Sequence, residues 1–297
     1  MKKIFLSLTI ISVFASFVFA GGAGTTVFQV LNMPLTAYDS SLADISMLKH
    51  QNPANVPYNP YSFGFTQVFN IAQTKYSAAY ADVPLTRNSG LGISFLYFDY
   101  GSMPRTYSDG SGGYTENGTF GANDKLVSLA YGLKLNKKIS AGIAVKYIKQ
   151  DIDDVSYSGF AGSVNTLWVA GKNTFVGAGI NDIGPKIKEY NLPSDGYIGI
   201  SQSVSSKTSL SAQFDAYYND DAYDIKLAAE TGVEFLMLRF GYDLPLKKQS
   251  FFDTNTNSLN NFTFGIGLDF KALSVDYAWL PKGDLGSTHM FSLLIRI

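Results

Sequence analysis

The sequence is dominated by short runs in which apolar residues alternate with polar or small residues. In residues 138–147, KISAGIAVKY, and again in residues 261–270, NFTFGIGLDF, every second residue is apolar. A repeat of two places successive side chains on opposite faces of an extended chain, so each run predicts a β-strand with one apolar face. The pattern indicates an all-β protein.

About fourteen such runs follow one another, and their connections alternate in length. The connections of one set are mostly tight turns, such as residues 136–137, whereas those of the other set are mostly long and polar, as in residues 102–123 and 151–158. Short turns at one end and long loops at the other are typical of a bacterial outer-membrane β-barrel. The runs lie at 60–69, 74–82, 90–101, 124–136, 138–150, 159–169, 173–182, 195–204, 207–218, 222–234, 235–243, 260–270, 271–280 and 287–297.

Aromatic residues close many of the apolar faces. Tyr97, Tyr147 and Trp279 stand at such positions, and aromatic girdles flank the lipid-facing band of membrane barrels. The alternative is a soluble β-sandwich, which has no need of aromatic strand ends. The sequence therefore favours a transmembrane antiparallel β-barrel of about fourteen strands.

The N-terminus has the pattern of an export signal. Lys2 and Lys3 precede an apolar run from residue 4 to residue 19, which ends in small residues at Ala20 and Gly21. A membrane anchor helix is the alternative, but the run is short and is interrupted by Ser and Thr, which favours a cleaved signal peptide over 1–20. The chain has no cysteine, so it forms no disulfide or thiolate site. A net charge of -1 gives no electrostatic argument for nucleic acid.

Residues 21–60 do not alternate and predict a separate element before the barrel at 61–297. Ser41 followed by Asp44 has the form of a helix N-terminus, with Ser41 as the N-cap. The helix is expected to stop before Asn52-Pro53. Its apolar face needs a partner, and a lumen of about fourteen strands is too wide for wall side chains to fill. We therefore expect a short helical plug inside the barrel, whose apolar face consists of Leu42, Ile45 and Leu48.

The opening GGAGTTVFQVLNMPLTAYDSSLADISMLKHQNPANV resembles the start of PorV/PorQ-family proteins, which are outer-membrane barrels related to the FadL long-chain fatty-acid transporters. The similar features are a Gly-Ala-Gly-Thr start, a short helix and the motif Asn52-Pro53-Ala54 before the first strand. Similarity extends over nearly all of the mature chain and includes a long third loop, GLGISFLYFDYGSMPRTYSDG, and the closing strand LGSTHMFSLLIRI. The motif departs from the family pattern because Asn55 follows it in place of Gly. The resemblance implies that Asn52, Pro53 and Ala54 belong to the plug.

The residues of this sequence that could serve in a catalytic or metal-binding site are its histidines and two acidic clusters. The only histidines are His50, in the expected plug, and His289, at the start of the last strand, and no Gly-x-Ser-x-Gly elbow occurs. Two acidic clusters fall on or beside expected outer loops, and they read more simply as solvated loops than as calcium sites. We expect no enzyme activity, no metal and no cofactor. The clusters are Asp151, Asp153 and Asp154, and Asp220, Asp221 and Asp224.

The polar strand faces are expected to line the lumen, where Gly, Ala, Ser and charges of both signs predominate. Mixed charges can pair with each other and with a plug, which favours a closed lumen, whereas so few apolar positions argue little for an apolar ligand. These charged residues are Lys134, Lys146, Asp215, Lys226, Glu230, Arg239, Asp269, Asp276 and Arg296.

Three functions remain open for such a barrel in the bacterial outer membrane. The resemblance implies a non-enzymatic PorV/PorQ-type barrel in transport or secretion. The alternatives are a FadL-like passive carrier of hydrophobic small molecules and a structural surface protein. The expected partners are outer-membrane lipid, the barrel assembly machinery, and either secretion-system subunits or a hydrophobic ligand, but not nucleic acid.

Overall fold

The barrel is closed. The computed structural model describes residues 26–219, 222–247 and 258–297. Within them, fourteen antiparallel strands each pair with their sequence neighbours, and β1 pairs with β14. This confirms the predicted fold class, while the expected signal peptide over 1–20 lies outside the described residues. The strands are β1 Ser62–Phe69, β2 Lys75–Pro84, β3 Ser89–Ser108, β4 Tyr114–Lys134, β5 Ile139–Ile152, β6 Val155–Val169, β7 Thr174–Ile183, β8 Asp195–Ser203, β9 Thr208–Tyr217, β10 Ala222–Val233, β11 Leu236–Lys247, β12 Phe262–Asp269, β13 Leu273–Pro281 and β14 Ser287–Arg296.

The outer face of the wall is apolar. Phe63 and Phe65 of β1 are exposed outward, whereas Gly64 and Thr66, which alternate with them, are buried inward. On β5, Ile143, Val145 and Tyr147 are likewise exposed. A continuous outward apolar face on a closed barrel is the surface that a bilayer requires. No helix in the described ranges has the length and apolar character needed to cross a membrane.

The two ends of the barrel differ as the sequence predicts. At the end where β1 begins, here called the turn end, connections are as short as residues 234–235, and at the opposite loop end they reach residues 184–194. One loop prediction is wrong. Residues 102–123 are mostly strand, because β3 and β4 continue past their neighbours as a hairpin in which Met103 pairs with Phe120 and Tyr107 with Thr115. This part of the hairpin has no lipid-facing side, so its sequence does not alternate.

A second predicted loop is also shorter than expected. Residues 151–158 were expected to connect two strands, but β5 and β6 extend into this range and only residues 153–154 lie between them. Asp153, at this turn, has φ 52° and donates its N–H to the carbonyl of Gly121. A tight turn with one residue in the left-handed region replaces the long loop.

Residues 27–60, here called the lumen segment, run through the barrel from the loop end to the turn end. At the loop end the N–H of Val27 donates to the carbonyl of Asn191 over 3.0 Å. Farther along, three backbone N–H groups donate to inward side chains of three different strands. These bonds are Ala37 N to Ser292 Oγ (2.7 Å), Ala43 N to Thr263 Oγ1 (3.2 Å) and Met47 N to Gln213 Oε1 (3.1 Å).

The helix in the lumen segment is not the one that the sequence predicts. The helix α1 spans Ala37–Ser41, and its N-cap is Thr36, whose Oγ1 accepts the N–H of Asp39 over 3.0 Å. Ser41 is therefore the last residue of the helix, and the predicted N-cap at Ser41 is wrong. The helix cannot continue because Ala43 and Asp44 have φ 54° and 53°, in the left-handed region.

The residues of the predicted apolar face are buried all the same. Leu42 and Ile45 pack with Met47 against Tyr197 and Ala228 of the wall, and Leu48 packs beside them. Single helical turns replace one continuous helix in this part of the chain. This is possible because its backbone N–H groups find hydrogen-bond partners on the wall.

Arginine in place of Ile143 is expected to lower the free energy of unfolding by roughly 2–4 kcal/mol, since this outward side chain lies at the centre of the apolar stretch of β5. The matched control is Ile139→Arg, which places the same charge four residues nearer the turn end and should cost about 0–1 kcal/mol. Urea unfolding in lipid vesicles measures both. Equal losses at the two positions would contradict the assigned depth.

Candidate functional site

The side chain of Asn52 joins the lumen segment to itself and to the wall. Its Nδ2 donates to the carbonyl of Ser46 and to the hydroxyl of Tyr197, both over 2.8 Å, and its Oδ1 accepts the N–H of Ala54 over 2.9 Å. Asn52 is buried and all three bonds are made inside the barrel. An amide side chain supplies both a donor and an acceptor, which explains why asparagine suits this position.

Pro53 and Ala54 lie directly against the backbone of the wall. Gly132 and Gly142 face each other on β4 and β5, and a Cβ on either would overlap the carbonyl of Pro53. Ser140 Oγ donates to the carbonyl of Ala54 over 2.8 Å. The glycines therefore make the space into which the Asn-Pro-Ala stretch fits.

His50 lies beside this stretch and bonds to another part of the wall, on β2. Its Nε2 is 2.5 Å from Oδ2 of Asp82 on β2, and the same carboxylate accepts from Ser62 Oγ over 3.1 Å and from Gln51 Nε2 over 3.0 Å. Asp82 is buried, and a buried carboxylate needs such donors. His50 thus anchors the lumen segment, and no pattern in the sequence identifies Asp82 as its partner.

A charged layer crosses the lumen beneath α1. Arg239 on β11 is 2.6 Å from Glu230 Oε2 through Nε and 2.6 Å from Asp276 Oδ1 through Nη1. Its guanidinium lies 4.6 Å from the centre of the Tyr38 ring. The predicted mixed lumen charges thus do pair, some between adjacent strands and others across one intervening strand. The other lumen pairs are Lys146 with Asp182 (2.6 Å), Lys226 with Asp215 (3.5 Å) and Arg296 with Asp269 (2.9 Å).

The loop-end part of the lumen is apolar, which corrects the expectation that Gly, Ala, Ser and charge dominate it. The wall contributes large inward side chains, and the lumen segment fills the space between them with Phe28, Val30 and Leu31. The signal in the sequence is residues 95–98, FLYF, where alternation is lost because both strand faces are apolar. The large wall residues are Val68, Tyr76, Leu96, Phe98, Leu126, Ile148 and Met290, and Leu192 of the connection between β7 and β8 packs with them.

A cavity of about 370 Å³ lies between this apolar cluster and the charged layer. One side of it is apolar and includes Leu31, Leu96 and Leu126, whereas the other carries the carboxylates and ammonium groups of the lumen. Asp39 of α1 lines it as well, and its carboxylate accepts the N–H of His50 over 3.1 Å. The cavity is therefore amphipathic. Its charged residues are Asp39, Asp44, Lys49, Lys146, Asp182, Asp195, Asp215, Lys226, Asp243 and Lys282.

The described members of the two acidic clusters singled out in the sequence have different surroundings. Asp151 pairs with Lys125 over 3.2 Å and with Lys149 over 3.0 Å, and Asp153 pairs with Arg105. Asp224 was expected on or beside a loop, but it faces the lumen, because its position on β10 continues the inward alternation of that strand. Its partners in sequence, residues 220–221, lie outside the described ranges.

The described residues bring together neither a metal site nor a catalytic group of three. No cluster of three or more metal-ligating side chains occurs among them. His289 lies far in sequence from His50 and pairs with the Tyr277 hydroxyl over 2.8 Å. The arrangement in the lumen can bind and exclude molecules, and its chemistry is that of ion pairs and apolar contact.

Several solved membrane barrels have the same architecture. The toluene transporter TbuX of Ralstonia pickettii matches with a TM-score of 0.58 over 82% of this chain and 92% of that chain, at 11% identity. The toluene transporter TodX of Pseudomonas putida matches with 0.57 over 94% and 98%, at 10% identity. A FadL homologue of Pseudomonas aeruginosa matches with 0.55 over 92% and 99%, at 10% identity. The chain has the fold of a FadL-like barrel. No model of a known protein family and no curated protein sequence matches it.

Replacing Asn52 with Ala is expected to lower the free energy of unfolding by about 1–3 kcal/mol, since the buried hydroxyl of Tyr197 and the carbonyl of Ser46 lose their donor. Asn88→Ala, in an exposed turn, is the matched control and should change little. Thermal unfolding of the folded barrel, followed by its heat-dependent shift in electrophoresis, measures both. An Asn52 variant as stable as the control would contradict the anchoring role of this side chain.

Proposed function

We propose that this protein is a passive outer-membrane carrier of small apolar or amphipathic molecules. The observation that carries the proposal is the loop-end apolar cluster, which adjoins a cavity with one apolar and one charged side. Inward aromatic and aliphatic side chains at this position give an apolar molecule a favourable place to enter the lumen. The charged side of the cavity provides partners for a polar head group.

The similarity in fold supports the same class of ligand. TbuX and TodX are toluene transporters, and both share the closed barrel over most of their length. CymD, another structure of this fold, is a monoaromatic hydrocarbon channel and matches with a TM-score of 0.55 at 11% identity over 88% of this chain and 96% of that chain. Among the functions considered, the FadL-like carrier therefore has more support than the PorV/PorQ role or a purely structural role.

In this proposal the lumen segment occupies the ligand position when no ligand is bound. Phe28 packs into the apolar cluster although its backbone has φ 57°, a left-handed conformation that is costly for a bulky residue. An incoming apolar molecule replaces the same contacts and allows Phe28 to relax. The segment residues nearest the loop end are thus the ones expected to move first.

The cellular setting belongs to the same proposal. The pattern of residues 1–20 and the outward apolar belt support an exported protein in the bacterial outer membrane, with lipid around it and the barrel assembly machinery as its folding partner. The similarity in fold to transporter channels supports a non-enzymatic role.

A second candidate function is that of a PorV/PorQ-type barrel with secretion subunits as partners. It is supported by the resemblance of the residues before the first strand to the start of PorV/PorQ-family proteins. The contacts of Asn52 and Pro53 with the wall give that stretch a defined place inside the barrel. Co-purification of secretion-system subunits with the barrel, at a stoichiometry that Asn52→Ala reduces, is the outcome expected from this interpretation. A barrel that purifies without such subunits from its own cells would contradict it.

The carrier is tested by uptake of labelled toluene into bacterial cells that lack their own FadL-type protein. Leu126 lines the cavity and Leu129, on the same strand, faces outward. Leu126→Asn places an amide without a partner in the apolar side, which costs about 1–3 kcal/mol, so uptake at low toluene should fall about tenfold or more.

The matched control is Leu129→Asn, which leaves the cavity unchanged and should transport as the wild type does. Cells producing the wild-type barrel but taking up toluene no faster than empty cells would contradict an apolar carrier, and the same assay with a long-chain alcohol tests the amphipathic class.

A further inference from the structure

A second pocket lies at the turn end of the lumen, on the side formed by β9–β12. It has a volume of about 520 Å³ and is lined by Ser209, Glu230, Met237 and Asp269, among others. The same four strands also line the central cavity, through Asp215, Lys226, Asp243 and Thr263. Two water-accessible spaces therefore stand one above the other along a single wall.

Little separates the two spaces along that wall. On β10 the inward residue Ala228 is the only one between Lys226 of the cavity and Glu230 of the pocket. On β11 the residues between Asp243 and Met237 that face inward are Gly241 and Arg239. The barrier is thus about two inward positions thick. On the wall it consists of small side chains, Gln213 on β9 and Arg239, and the buried side chains of Leu42, Ile45 and Met47 pack against it at Ala228.

The lumen segment forms the other half of this barrier. A Cβ on Gly241 would overlap the N–H of Ala43, and one on Gly265 would overlap the side chain of Ser41. These contacts bring the wall glycines directly against residues 41–43 over a narrow strip. The strip is followed directly by Asp44, which like Ala43 is in the left-handed region, so the part of the segment that seals the wall is also a strained part.

Arg239 closes the remaining space beneath the strip. It binds Glu230 and Asp276, both on the wall, and its contact with the lumen segment is the face of the Tyr38 ring. Because the Arg239 guanidinium is bound to carboxylates of the wall, it stays in place when the lumen segment shifts. It separates the two spaces only while its ion pairs with Glu230 and Asp276 are both formed. Loss of either pair leaves a charged side chain that can turn toward water.

We propose that Arg239, together with the strip from Ser41 to Ala43, is the gate of a polar passage along β9–β12, which connects the central cavity with the turn end and admits ions and small polar solutes. The wall of this passage carries Asp, Lys, Glu, Ser and Gln side chains with Gly and Ala between them, and an apolar molecule would remove these from water without replacing their hydrogen bonds. The passage goes beyond the proposed carrier function, since ion flow requires no apolar ligand.

Single-channel conductance of the purified protein in planar lipid bilayers tests the gate. The variant is Arg239→Met with Glu230→Gln and Asp276→Asn, which removes the ion pairs without leaving a buried charge unpaired. Its conductance should rise several-fold over that of the wild type. The matched control is Arg105→Met with Asp153→Asn, an arginine–aspartate pair at the loop end outside the lumen, and it should conduct as the wild type does.

A folded triple variant with wild-type conductance would overturn the proposal, and so would an equal rise in the control, which would indicate general loosening. The heat-dependent electrophoretic shift reports folding. If the triple variant does not fold, Arg239→Lys decides the question, because lysine keeps the charge but lacks the planar fork that binds two carboxylates. Single-channel recordings of Arg239→Lys are then expected to show frequent brief openings. Recordings like those of the wild type would overturn the proposed gate.

Toluene uptake measured on the same variants separates this proposal from the carrier. Leu126→Asn is expected to lose uptake, whereas the Arg239 variants should gain conductance with uptake changed less than twofold. Loss of both properties in the Arg239 triple variant, with its fold intact, would contradict a passage separate from the apolar site.

Discussion

The pairing of every backbone N–H and C=O group inside a bilayer is the constraint from which the rest of this structure follows. Hydrocarbon offers no hydrogen-bond partner, so the sheet cannot leave an edge in the membrane. The chain meets this requirement by pairing β1 with β14, with Phe65 opposite Leu293 at the centre of the seam. Closure at fourteen strands then creates a lumen that side chains of the wall alone do not fill, and the chain fills it with residues 27–60.

The two sides of the wall therefore obey different rules. Outward residues such as Ile143 need only be apolar, and their sequence pattern is simple. Inward residues must match a particular part of the lumen segment: glycine where Pro53 approaches, carboxylate where His50 bonds, and arginine beneath Tyr38. The lumen is consequently layered, apolar near the loop end and ionic in the middle, and this layering is what gives the barrel a cavity with two chemically different sides.

Much of the barrel could be predicted from its alternating residues, because lipid on one side and lumen on the other impose a repeat of two on every strand. The strand pattern identified all fourteen strands, most with ends within a few residues. It did not identify the hairpin extension at Met103 and Tyr107, where no lipid contacts the strands. The lumen segment was the least predictable part. The N-cap of its helix is Thr36 in place of the predicted Ser41. Hydrogen bonds to the wall decide where its backbone can turn, and these bonds leave no local pattern in the sequence.

The anchoring of the lumen segment has a consequence for the order in which the molecule is built. Ala37 donates its N–H to Ser292, 255 residues later, on the strand that also closes the sheet. Contacts so distant in sequence form late, because the long intervening chain must first be ordered. Residues 27–60 precede β1 and contact strands from β2 to β14, so the set of contacts that holds them is complete only when β14 meets β1. A chain that closes its sheet while the segment lies elsewhere would have an interior that no side chain of the segment fills.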